Sequence, residues 1–104
     1  MRGAFGKFGI DKTNPIPVFG HNGLDEYFKR LKLENGHQYK YERAGSTASE
    51  NINGIIDVYE IYDIDENIKL KDLFICIYNK HTSNIAPEGF IMQLETKKNK
   101  IGDN

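Results

Sequence analysis

A chain of 104 residues with a formal net charge of −1 suits one domain and offers no basic stripe for nucleic acid. Only Arg2, Arg30 and Arg43 among its 14 cationic residues are arginine, the side chain best shaped for bidentate phosphate contacts. Cys76 is the only cysteine, which excludes an intrachain disulfide or a CxxC metal site, and no stretch reaches the ~20 apolar residues of a membrane span.

Hydrophobic residues make up 38% and charged residues 28%, the balance of a folded soluble domain rather than a disordered chain. The first ten residues, MRGAFGKFGI, carry no apolar core of signal-peptide length. A bacterial-type cytoplasmic protein is the expectation.

Residues 1–22 are rich in glycine and proline and read as an irregular arm, with a short edge strand near Ala4–Ile10. Pro15 and Pro17 confine any strand at 15–19 to a sheet edge. Phe5, Phe8, Ile16, Val18 and Phe19 are too apolar for a solvated tail, so the arm packs on the body.

Residues 23–33 predict a helix. Leu24, Tyr27, Phe28 and Leu31 recur at i, i+3, i+4 and i+7 and form one apolar stripe. Asn22 is the expected N-cap, Asp25 lies in the first turn, and Lys29, Arg30 and Lys32 lie in the later turns, where the helix dipole favours their sign. Asn35 or Gly36 supplies the stop. The Asn35-Gly36 pair also fits a hairpin, in which a three-residue loop would set Leu31 opposite Tyr39.

Strands are expected at 37–44, 55–63, 72–79 and 89–96, with 72–79 central because it is apolar on both faces. Around them, 43–54 (RAGSTASENING) reads as a loop, 64–71 as a turn-rich connection, and 80–89 (KHTSNIAPEG) as a second long loop. The strands follow one another without intervening helices, which favours an antiparallel meander. The predicted fold is α+β: one N-terminal helix packed on a small antiparallel sheet of about four strands, with an irregular N-terminal arm. Residues 1–96 form the domain and 97–104 a polar, flexible tail.

Two groups of residues could carry function. Arg43 with Ser46, Thr47 and Ser49, and Lys80, His81 and Ser83 in the second loop, would bind an anionic ligand if the two loops met at one sheet edge. The first loop lacks the GxxxxGK[ST] spacing of a P-loop, and a polar connector accounts for its composition. The second group is aromatic. Tyr39, Tyr41, Tyr59 and Tyr62 lie on predicted strands, and one helix covers only one sheet face, so a surplus could form an interaction surface.

Other motifs carry no chemistry. His21, His37 and His81 make no metal-ligand spacing. Asp63-Ile64-Asp65-Glu66-Asn67 resembles the start of a calcium loop, but Ile68 and Phe74 stand where that loop needs glycine and glutamate. Cys76 sits in an apolar strand and should be buried and inert. No cofactor is implied, and enzyme and binding roles both stay open. The leading expectation is a non-enzymatic protein-interaction module, with a protein partner or a homodimer and without nucleic acid or membrane. The alternative is a small-molecule, anionic-ligand binding domain or enzyme that uses the 43–49 and 80–83 loops.

Overall fold

The apolar stripe does form a helix, shifted toward the N-terminus. In the computed structural model, which describes residues 6–52 and 54–93, helix α1 spans Gly20–Arg30. Gly23, Leu24, Tyr27 and Phe28 are its buried residues. Leu31, expected to be the stripe's last member, is extended and begins strand β2 (Leu31–Leu33) with no loop between. The remaining strands are β1 (Ile16–Pro17), β3 (Tyr39–Thr47), β4 (Ile56–Asp63), β5 (Ile68–Cys76) and β6 (Phe90–Met92).

The main sheet has the order β1-β5-β4-β3. Strands β3, β4 and β5 form the expected antiparallel meander. β1 adds at the far edge in parallel, with Ile16 opposite Ile75, so the sheet is mixed. Its position agrees with the proline constraint, since Pro17 has no N–H to give a ladder. β2 and β6 pair antiparallel in a separate two-stranded sheet, with Leu33 opposite Phe90. That pairing rules out the hairpin in which Leu31 faces Tyr39.

Other boundaries differ from expectation for physical reasons. The stretch read as a loop from Arg43 is strand as far as Thr47, because a β-bulge between Arg43 and Gly45 absorbs Ala44 and lets pairing with β4 continue. The connection read over 64–71 is a turn of only 64–67, with Asn67 at φ 58°, a left-handed conformation that asparagine tolerates. β5 therefore starts at Ile68. The expected strand near Ala4–Ile10 is not formed over residues 6–10, which are bends and turns. The last strand is β6, and residues 94–104, including the expected tail, lie outside the described residues.

The core lies between α1 and one face of the main sheet. Leu24, Tyr27 and Phe28 meet Ile16 and Val18 of the β1 segment, Tyr59 and Ile61 of β4, and Leu73 and Ile75 of β5. Leu31, Leu33 and Phe90 of the small sheet close one end. Phe8 and Ile10 of the arm pack against the same cluster. Gly9 is needed for that approach: it has φ +73°, and a Cβ there would stand 2.9 Å from Ile16.

Helix α1 does not cap itself. The expected cap, Asn22, lies inside the helix, and the true N-cap, Phe19, has no side-chain oxygen to offer. Thr82 Oγ1 accepts the Phe19 N–H at 3.0 Å, and Ile77 O accepts the Gly20 N–H at 2.9 Å. Thr82 also lies against Gly23, where a Cβ would overlap its hydroxyl. Alanine is normally better than glycine in a helix by roughly 1 kcal/mol. Here Gly23→Ala should cost about 1 kcal/mol more in the wild-type background than in Thr82→Ala, because the added methyl displaces the capping hydroxyl. A double-mutant cycle by chemical denaturation measures this coupling, and additive effects would refute the external cap.

Candidate functional site

The helix covers one face of the main sheet, and alternation along each strand sets what the other face carries. Tyr59 and Ile61 point to the core, so Val58, Glu60 and Tyr62 point away. This second face is polar around Glu60. Lys69 Nζ lies 3.4 Å from Glu60 and 3.0 Å from Asp72, the Tyr62 hydroxyl donates to Glu60 at 2.8 Å, and Lys40 lies over the Tyr62 ring. The hydrogen bond from Tyr62, helped by the Lys69 charge, holds the Glu60 carboxyl below its usual range against the opposing effect of desolvation.

The four tyrosines expected to form a surface are therefore divided. Tyr59 is buried. Tyr39 is half-buried, and its hydroxyl is shared between Phe28 O and Leu31 O at 2.8 Å each. Tyr41 stacks on Phe28 with 3.9 Å between ring centroids and remains 39% exposed. Tyr62 lies on the opposite face.

Among the candidate polar residues of the two loops, Arg43 and Ser83 are employed in folding. Arg43 Nη2 meets the mostly buried Asp57 carboxylate at 3.1 Å. Ser46, beyond the bulge, is exposed and paired in register with Asp57. Lys80 and His81 are exposed. Ser83 Oγ accepts the Ile85 N–H, while its own N–H donates to Pro17 O. Among the described residues, no hydrogen bond or ion pair joins Arg43 or Ser46 to Lys80, His81 or Ser83. The second loop acts instead as a strap over α1. Besides Thr82, Asn84 accepts from Arg30 at 2.6 Å, and Ile85 O accepts from the Tyr27 hydroxyl at 2.7 Å. Ala48, Ser49, Glu50 and Asn51 border a shallow cavity of about 500 Å³ with Lys12 and Thr13, so one cation and one carboxylate line it.

One cluster had no signature in the sequence. His37 Nδ1, Asp63 and Glu66 bring ligand-type atoms within 4.8 Å of one another. Asp63 is 1% exposed and already saturated: one oxygen accepts the Glu66 N–H at 3.0 Å, the other accepts from His37 at 2.8 Å and from Asn35 at 3.4 Å. The cluster joins the 34–38 turn to the 64–67 turn, and a cation would have to displace the His37 proton from Asp63.

Among the described residues, one side of the β3 backbone has no strand paired to it. β3 is the terminal strand of the main sheet, nine residues long and without proline, and Lys40 through Ala44 are all exposed. The opposite edge is blunt by comparison: β1 has two residues, with Pro15 before it and Pro17 within it. A smaller apolar feature lies elsewhere. Phe19 and Tyr78 form an isolated bridge and are 64% and 65% exposed, and the Tyr78 ring lies beside Gly54. No family model matches the chain, and neither the curated proteins nor the solved structures give a match.

The His37–Asp63 pair gives a pH signature. The Asp63 hydrogen bond, aided by the nearby Asp65 and Glu66 charges, raises the His37 pKa above its usual 6.5, against an opposing desolvation. Burial works to raise the Asp63 pKa, but the Glu66 N–H, His37 and Asn35 outweigh it and the net shift is downward. His37 therefore contributes stability below its unfolded pKa that is lost as pH rises through the folded value. Asp63 contributes stability above its unfolded pKa that is lost as pH falls through the folded value. The pair should stabilise most between about pH 4 and 6.5. NMR titration should give a His37 midpoint above that of a model histidine, and His37→Gln should remove the alkaline part of the pH dependence of Tm. A His37 midpoint at or below the model value would refute the pair.

Proposed function

We propose that this chain is a non-enzymatic protein-interaction module that docks an extended segment along the free edge of β3. One observation carries the reading: the asymmetry between the two edges of the main sheet. β1 is short and proline-blunted, whereas β3 offers nine residues without proline. An exposed edge carries unpaired N–H and C=O groups that recruit another strand, and main-chain hydrogen bonds then supply the affinity. The core face is filled by α1 and the second face carries ion pairs around Glu60, so the edge is where a partner could add without displacing what is already packed. Among the described residues the arginine, histidine and carboxylate side chains with short contacts are engaged in folding, as Arg43–Asp57 and His37–Asp63 illustrate.

A photo-crosslinking side chain tests this directly. Ala44 is exposed, uncharged and carried by the bulge, so a probe there leaves the core and the ion pairs in place. Light should convert the protein in its own cells to a discrete protein adduct when the probe is at position 44, and not when it is at the exposed helix residue Asp25. Absence of an adduct at 44, or equal adducts at both positions, would overturn the docking edge.

A further inference from the structure

Resting on the β3 edge as the docking surface, we propose that its occupant is a second copy of this chain, paired antiparallel through β3 about a two-fold axis at Tyr41. Charge selects this register. Antiparallel two-fold pairing sets one residue opposite its own copy and the flanking residues opposite each other. Centring on Lys40, Glu42 or Arg43 would set a charge directly against the same charge, which destabilises a ladder. Centring on Tyr39 runs the pairing onto residues 36–38, which precede the strand. Centring on Ala44 or beyond runs it across the bulge.

Centring on Tyr41 avoids all of these. Lys40 then faces Glu42 of the second copy, and Glu42 faces Lys40 of the second copy, so the opposite-charge pair occurs twice. Tyr41 faces Tyr41, and Tyr39 faces Arg43. The side chains that would meet are available for it. Lys40 and Glu42 are each 56% exposed and lie 3.5 Å apart within their own chain, a solvated pairing that a second copy can share without disturbing the core. Tyr41 keeps its stack on Phe28 and presents its exposed side outward. The two four-stranded sheets become one continuous sheet, with both helices on the same face because a two-fold axis normal to a sheet preserves its faces.

The bulge limits the ladder to residues 39–43, so the contact falls below the size of a standard stable interface, and a dissociation constant on the order of 10–100 μM is expected. Edge charges usually repel further strands. Here their order along β3 makes the edge self-complementary.

Sedimentation velocity over about 5–500 μM tests the proposal on wild type, Lys40→Glu, Glu42→Lys, the double exchange, and an equimolar mixture of the two single variants. Wild type should dimerise. Each single variant puts like charges opposite one another twice and should weaken association about tenfold. The double exchange should restore it to within about twofold, and the mixture should associate more tightly than either variant alone. Melting curves confirm that all variants fold, as solvated positions allow. A wild type that stays monomeric at the highest concentration, or single variants that dimerise as well as wild type, would overturn the proposal. If wild type is monomeric but position 44 still gives an adduct to another protein, only the second copy is lost. If both fail, the docking edge is lost as well.

Discussion

Helix α1 cannot satisfy its own ends, and the architecture is organised around that fact. Eleven residues fall short of the roughly 12–15 at which an isolated helix becomes even marginal in water. Each end has orphan N–H or C=O groups that need partners. At the N-terminus these come from Thr82 and Ile77, more than fifty residues later in the chain. At the C-terminus Leu31 N–H returns to Tyr27 O, the Tyr39 hydroxyl is shared between Phe28 O and Leu31 O, and Gln93 N–H reaches Arg30 O at 2.7 Å. The helix is thus finished by the strap, by β3 and by the residue after β6. These segments lie far apart in the chain and meet at the helix ends, so the domain should fold as one cooperative unit.

This dependence explains what could be read in the sequence and what could not. The stripe of Leu24, Tyr27 and Phe28 was legible because it is local and periodic, and so were β4, most of β5, and the edge position of the proline segment. Helix boundaries were not. Asn22 has the right chemistry for a cap, but the cap in use is a threonine sixty residues away, and sequence spacing carries no trace of it. Leu31 continues the helical period, yet β2 takes it, since pairing with β6 buries Leu31 and Leu33 together. Gly45, Ser46 and Thr47 have loop composition, and only pairing with β4 across a bulge makes them strand. The candidate site followed the same rule. Arg43, Ser46 and His81 stood out by side-chain type, whereas the edge of β3 is a property of topology and backbone, which no residue type announces.

The polar second face bears on this too. A small sheet covered by one helix would ordinarily leave apolar side chains exposed on its far side, and the surplus of aromatic residues suggested as much. Most of that surplus is absorbed on the core side, where Phe28 contacts both Tyr41 and Tyr59. The far side carries Lys69 bridged to Glu60 and Asp72, charges that remain solvated and discourage a second layer from packing there. Under the docking proposal, this steers a partner away from the faces and toward the edges.

Of the two edges of the main sheet among the described residues, β3 is the long one without proline, and its state in the single chain decides what sort of association it supports. The outward N–H and C=O groups of β3 are exposed to water, so they are solvated rather than orphaned, and the lone domain incurs no penalty for leaving them unpaired. The core is closed without any contribution from a partner, as Tyr27, Leu73 and Ile75 at 0% exposure indicate. Folding and docking are therefore separate equilibria. An obligate dimer would leave core side chains exposed in its protomer, whereas the β3 edge exposes mainly backbone, ordered charge and one tyrosine. The proposed pairing at β3 would exchange water for a strand at nearly equal hydrogen-bond energy, which would make it reversible and governed by concentration. Specificity then rests on the order of Lys40, Tyr41 and Glu42 rather than on buried area, since area of this size cannot by itself distinguish one strand from another.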